Sequence, residues 1–171
     1  MVLTPVTDEN LTELITIAKL AYCEHYLYLW HDGGEWYLNQ YFSPERFKEE
    51  FGNPDFLFYV IYHDGAPAGF LKLNMRSSME CHSGRCMEIE RIYLVKEAVN
   101  KGIGSQVMNA VEKIGKDRKL STLLLKVMDS SAQAIAFYKK IGYVISGTYR
   151  LPFSQMKTHL RGMYLMKKEI D

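Results

Sequence analysis

The residues of this 171-residue chain best suited to chemistry fall in two neighbouring runs. Glu88-Ile89-Glu90-Arg91-Ile92-Tyr93-Leu94-Val95 reads as an apolar strand that carries two carboxylates. Val99-Asn100-Lys101-Gly102-Ile103-Gly104-Ser105 follows as a loop whose glycines open a helix. Small residues there let backbone N–H groups approach an anion, and the helix dipole adds partial positive charge. A cofactor's pyrophosphate fits that chemistry. Glu88 and Glu90 flank Ile89, so on a regular strand both side chains share one sheet face and can serve a reacting proton. Either acid taken alone fits a solvent-facing side chain equally well.

The glycine pair needs context, because a chain with 12 glycines contains a Gly-x-Gly triplet about once by composition. A tight strand-to-helix turn without a ligand would look the same. Val107 occupies the place of a third glycine and no Gly-Lys-Ser/Thr ending follows, which excludes the dinucleotide fingerprint and the P-loop.

The elements that would position these residues can be read along the chain. Val2–Val6 is a short strand, and Leu11, Leu14, Ile15, Ala18 and Ala21-Tyr22 recur at helical spacing after Thr7-Asp8. A second helical stretch begins near Glu35 or near Ser43-Pro44 and ends near Gly52-Asn53-Pro54. Phe56–Tyr62 and Ala68–Asn74 form a hairpin across His63-Asp64-Gly65, and Cys86–Val95 is the next strand. A helix follows Gly102-Ile103-Gly104 and closes around Asp117 to Lys119, a buried strand spans Leu123–Val127, and a short helix spans Ala132–Ile141, stopped by Gly142. Tyr143–Tyr149 and Arg161–Lys168 are the last strands. The order is β α α β β β α β α β β, in a length that suits one domain over 1–171.

Composition narrows the function classes. With 21 basic and 20 acidic side chains, no strong field draws the chain to nucleic acid or anionic lipid. No apolar run is long enough to span a bilayer and no secretory leader pattern opens the chain, so the cytoplasm is the expected compartment. Cys23, Cys81 and Cys86 are odd in number and lack CxxC spacing, which argues against a disulfide framework. Cys81, His82 and Cys86 fall short of four good ligands, so no metal is expected.

One further block follows the buried strand: Ala134-Ile135-Ala136-Phe137-Tyr138-Lys139-Lys140-Ile141-Gly142-Tyr143. Together with the Val99–Ser105 loop it resembles the GNAT superfamily of acyl-CoA-dependent N-acyltransferases. Their cofactor loop reads Arg/Gln-x-x-Gly-x-Gly/Ala and their later helix Ala-x-x-Phe-Tyr-x-Lys-x-Gly-Phe/Tyr. The resemblance is close over about residues 86–149. It implies an α/β, three-layer fold with a mixed, mostly antiparallel sheet of about seven strands, about four flanking helices, and a splay at the cofactor-binding strand.

The resemblance also implies roles. Ile92, Tyr93 and Leu94 would offer backbone groups to the pantetheine arm of acetyl-CoA. The amides of Val99, Asn100, Lys101, Gly102, Ile103, Gly104 and Ser105 would cradle its pyrophosphate. Val99 stands where the family has Arg or Gln. Ser131 stands where it has Asn, and would cap the later helix and contact the cofactor arm. Tyr138 would be the general acid beside the sulfur, its alternative being packing with Phe137 against the sheet. Glu90 would take the amine proton through water, with Arg91 as a structural partner, and a backbone N–H near Tyr93 would meet the oxyanion. Lys139 and Lys140 read as a solvated helix face.

The acceptor is the open question. Residues 22–42 hold eight aromatics in 21 positions, about three times the chain average. Either they pack a core, or Tyr26 and Trp30 form an aromatic wall that, with Glu35 and Glu88, takes an ammonium group. The wider pattern is similar to bacterial spermidine/spermine acetyltransferases. The expected function is acetyl transfer to a primary amine of a small molecule or polyamine. A silent acyl-CoA sensor and a peptide or protein N-acetyltransferase are the alternatives, and a homodimer stays open.

Overall fold

The computed structural model describes residues 1–77, 79, 81 and 85–170. The elements are β1 (Val2–Pro5), α1 (Leu11–Tyr26), α2 (Glu35–Tyr41), α3 (Pro44–Phe51), β2 (Phe56–His63), β3 (Ala66–Asn74), β4 (Cys86–Leu94), α4 (Ile103–Asp117), β5 (Thr122–Met128), α5 (Ala132–Lys140), β6 (Val144–Arg150) and β7 (Gly162–Glu169). The strands form one seven-stranded sheet in the order β1-β2-β3-β4-β5-β7-β6. All neighbours are antiparallel except β4 and β5, the one parallel pair, which needs the α4 crossover to join it. That crossover sets the start of α4 at the carboxyl end of β4.

Helices cover both faces. Leu71, Leu73, Met87 and Ile89 pack with Ile103, Val107 and Val111 of α4, whose buried residues recur at four-residue spacing. On the other face Phe58, Val60 and Phe70 pack with Leu14 and Ala18 of α1 and Phe47 of α3. The β2–β3 hairpin turns at Asp64 and Gly65, both at positive φ (51° and 79°), as a two-residue turn matched to strand twist requires.

Two expectations change. The single helical stretch after residue 35 is two helices, so the described residues hold five α-helices, in keeping with the about four expected to flank the sheet. Pro44 lacks the N–H needed to continue α2 and holds Ser43 extended (ψ 150°), where its side chain caps α3 by accepting from the Arg46 amide at 3.2 Å. Cys81 and Cys86, read as unpaired, form a disulfide with Cα atoms 6.2 Å apart beside the start of β4. His82, considered with them as a metal ligand, lies outside the described residues. Among the described residues no helix is long and apolar enough to cross a membrane.

Two irregularities in β4 shape the site. Pairing with β5 runs from Cys86↔Thr122 to Ile89↔Leu125 and stops, although β4 stays paired with β3 as far as Leu94 and β5 with β7 as far as Met128. The sheet therefore splays from Glu90 onward. In the β3–β4 register Leu73 opposes Ile89 and Lys72 opposes Arg91, which leaves Glu90 as the extra residue of a bulge. Alternation shifts by one there: Ile89 packs on the α4 face, while Arg91 lies beside Phe42 and Tyr93 beside Phe70 on the α1 face. A regular strand would have put Ile92 on that side.

Gly69 holds β3 close to this distorted strand. A Cβ there would overlap the Tyr93 carbonyl oxygen and lie 3.0 Å from the Leu94 Cα, both backbone and unable to swing aside. Gly69→Ala is expected to cost about 1–3 kcal/mol, as overpacking does. Urea unfolding checks it, and an unchanged midpoint would contradict it.

Candidate active site

The splay encloses a cavity of ≈ 450 Å³. One wall is Glu88 to Tyr93 of β4 and the facing wall is Leu125 to Met128 of β5, with Ser131, Ala134 and Tyr138 from the α5 region. Tyr22, Tyr26, Trp30, Tyr37 and Tyr41 close the α1–α2 side, joined by Tyr149, Phe153 and Met156.

The aromatic cluster is core and wall together. Trp30 is 3% exposed, donates from Nε1 to the Tyr22 hydroxyl at 2.7 Å, and stacks on Tyr37 with ring centroids 4.6 Å apart. Burial pushes the Tyr26 phenol up to about 12, so it is a neutral donor at neutral pH. Tyr28 points away and is exposed.

Each cavity carboxylate already holds a cation. Glu90 accepts from Lys72 Nζ at 2.6 Å and from Asn74 Nδ2 at 3.3 Å. Glu88 accepts from Lys126 Nζ at 2.8 Å and from Ser77 Oγ at 2.5 Å. Behind them Glu50 accepts from Lys72 Nζ at 2.9 Å and Arg46 Nε at 3.1 Å, and Arg91 Nη2 lies 3.5 Å from its Oε1. Burial alone would raise Glu50, but the charges of Arg91, Lys72 and Arg46 outweigh it and hold the carboxyl below its ordinary range. Glu50 thus stays ionised inside the protein.

Tyr138 lines the cavity, and its hydroxyl makes no hydrogen bond among the described residues. Burial raises its phenol, and the nearby Tyr26 adds to the shift. It is a protonated, uncommitted donor at neutral pH.

The glycine loop lies beside α5. Asn100 (φ 63°) and Gly102 (φ 74°) adopt left-handed conformations, and a Cβ on Gly102 would meet only open space. Gly102 is the N-cap of α4 without a side-chain cap, and the first intrahelical bond is Gln106 N–H to Gly102 O at 3.2 Å. The amides of Ile103, Gly104 and Ser105 therefore precede any intrahelical partner. Asn100 Oδ1 accepts from Gln133 Nε2 at 3.4 Å, linking loop and α5. These residues fit a pyrophosphate. Val99 leaves the expected amide set, because its N–H is bound to Lys96 O at 3.2 Å in a 3₁₀ turn. The amides of Asn100 and Lys101 belong to the turn leading into the helix.

The other expected site residues fall as follows. Ile92 and Tyr93 line the cavity, and Leu94 ends β4 at the loop, its carbonyl 3.0 Å from His25 Nε2. Ser131 precedes α5 and lines the cavity, but its side chain makes no cap hydrogen bond. Tyr26, Trp30 and Glu88 line the cavity too. Glu35 does not. It is exposed on the first turn of α2, where Asp32 accepts from the Gly34 and Trp36 amides at 2.9 and 2.8 Å and holds the helix start at the surface. Lys139 and Lys140 are exposed. Sequence reasoning missed Lys126, Asn74 and Phe153 as cavity residues and gave Arg91 only a structural part. The bulge that turns Arg91 inward leaves no mark in the hydropathy pattern.

Similarity to known proteins agrees with this geometry. The model of the acetyltransferase (GNAT) family matches residues 14–143. An uncharacterized N-acetyltransferase of Lactobacillus delbrueckii subsp. lactis is 32% identical over 107 residues, 62% of this chain and 62% of that protein, so the match spans less than two thirds of that relative. A spermidine N(1)-acetyltransferase of Thermoplasma acidophilum is 26% identical over 152 residues, 82% of this chain and 86% of the relative. The crystal structure of a PaiA N-acetyltransferase from Thermoplasma acidophilum in complex with coenzyme A superposes with a TM-score of 0.73 at 22% identity, over 99% of both chains. A splayed seven-stranded sheet, an uncapped glycine-led helix at its opening and a family match over most of the length have one reading: the chain belongs to the GNAT acetyltransferase family, enzymes that use acetyl-CoA as donor.

Proposed function

We propose that this protein transfers the acetyl group of acetyl-CoA to the primary amine of a small molecule by direct attack. The single observation that carries the reading is the parting of β4 and β5 at Glu90, with an uncommitted Tyr138 hydroxyl lining the cavity it leaves; the free amides of α4 follow in the chain beyond the carboxyl end of β4. Acetyl-CoA, when bound, supplies the activated thioester. The amides of Ile103, Gly104 and Ser105 hold its phosphates, and β4 groups freed from β5 align its pantetheine arm. Glu90 accepts the ammonium proton through water, which leaves the nitrogen lone pair free to form the C–N bond, and the nitrogen sheds a second proton to solvent as the amide forms. Tyr138 gives its proton to the sulfur as the C–S bond breaks, and solvent restores the phenol.

The aromatic wall favours a small acceptor over a peptide, which would need an open cleft. A polyamine acceptor is the second reading. It is supported by the similarity to a spermidine N(1)-acetyltransferase and by the attraction of Tyr and Trp faces for ammonium groups. Thiol release from acetyl-CoA with polyamines, amino acids, aminoglycosides and N-terminal peptides tests the proposal. Acetyl-CoA binding with silence across that panel would instead make the protein an acyl-CoA sensor.

Glu90→Gln probes the base. Lys72 keeps Glu50 as a partner in that variant, so the fold survives. We expect kcat/KM to fall about 100-fold or more at neutral pH and the deficit to narrow as rising pH deprotonates the amine unaided. A variant at the wild-type rate would remove Glu90 from the mechanism.

A further inference from the structure

Within the acetyl-transfer reading on which this inference rests, the geometry points to an acceptor that carries a carboxylate beside its amine: an α-amino acid with an apolar or aromatic side chain. Three observations carry it. The first is Arg91. It lines the cavity at 8% exposure, its Nη2 is 3.5 Å from Glu50, and its Nη1 has no hydrogen-bond partner. A guanidinium N–H buried without a partner is costly, and on a residue that lines the cavity a carboxylate brought in by the acceptor is its best-matched partner.

The second is the charge count. Glu50, Glu88 and Glu90 are balanced by Lys72, Lys126 and Arg91, and Arg46, which also pairs with Glu50, is offset by Glu49. Among the described residues a polycation would find no uncompensated carboxylate there. A zwitterion leaves the balance unchanged. The third is the bulge, which sets Glu90 and Arg91, adjacent in the chain, toward the same cavity. A proton acceptor next to a guanidinium matches an ammonium and a carboxylate borne on one carbon. Tyr22, Trp30 and Phe153 then offer an apolar surface to the side chain.

Matched acceptors test this with the intact protein and acetyl-CoA: L-phenylalanine against phenethylamine, L-leucine against isoamylamine, and spermidine alongside. Wild type should favour each amino acid over its decarboxylated partner by about tenfold or more in kcat/KM. Arg91→Lys keeps the charge facing Glu50 but removes Nη1. It should erase that preference by lowering kcat/KM for the amino acids about tenfold more than for the amines. Equal or better use of the amines or spermidine by wild type, or a parallel loss on both acceptors in Arg91→Lys, overturns the inference and leaves the transferase reading intact. Calorimetry with coenzyme A present separates the remaining cases. Without turnover the transferase reading and the acceptor inference fall together, and carboxylate-dependent binding lost in Arg91→Lys would leave an amino-acid binding site in their place.

Discussion

Tyr138→Phe is expected to lower kcat by about 100-fold or more while the affinity for coenzyme A stays nearly unchanged. General acids contribute on the order of 10²–10⁴ in rate, and this phenol has no other partner among the described residues, so its loss falls on proton delivery to the sulfur. Phosphate binding rests on amides at the start of α4, which the substitution does not touch. Burial raises the Tyr138 phenol, so it stays protonated beyond the ordinary tyrosine value of 10.0 and adds no alkaline limb to the pH–rate profile below that. Steady-state kinetics with calorimetric titration of coenzyme A check both halves. An unchanged kcat would move the acid elsewhere. A parallel loss of affinity and rate would make Tyr138 a packing residue.

Glu50→Gln should produce the largest loss of stability, about 3–5 kcal/mol, because it removes one partner of a buried ionic cluster and leaves the others charged. Glu50 is 3% exposed, and in the variant Arg91 would lose its counter-charge while Lys72 kept only Glu90. The same cluster predicts how stability varies with pH. The folded carboxyl lies below its ordinary value, so the stabilisation is present in full above the unfolded value of about 4.5 and is lost as pH falls through the folded one. Chemical unfolding of wild type and variant across acidic pH measures it. Wild type should lose its advantage over Glu50→Gln on acidification, and a constant difference would contradict the assigned ionisation. Since Lys72 joins Glu50 to Glu90, the cluster also ties the α1–α3 face to the site.

Much of this architecture is legible in the sequence, because local signals and tertiary packing agree. Periodicity places α1 and α4, the aromatic and β-branched runs place β2 and β3, and Asp64-Gly65 specifies their turn. The glycine loop and the Phe137-Tyr138 helix carry the family. What is not legible depends on register and on contacts distant in sequence. Strict alternation puts Glu88 and Glu90 on one face but cannot reveal that a bulge at Glu90 turns Arg91 inward as well. Lys72 and Glu50, 22 residues apart, are ordinary charged residues on a strand and a helix until packing buries them together. Glu35 sits among aromatics in sequence, yet the Asp32 turn places it outside. Ser43-Pro44 was a visible helix start, and so was Glu35; the chain uses both. The Cys81–Cys86 bond is hidden by an odd cysteine count and a spacing without a known signature. Val99 lost its expected part because a 3₁₀ turn took its amide, a detail of backbone geometry that side-chain identity does not encode.

The central claim is that the opening between β4 and β5 is an acetyl-transfer site, and mass analysis of the acceptor tests it most directly. Incubated with acetyl-CoA and a panel of small primary amines and amino acids, the purified protein should form an N-acetylated product in step with thiol release, and Tyr138→Phe should slow both together. Thiol release without an acetylated amine, or no product from any acceptor while acetyl-CoA binds, would contradict the account.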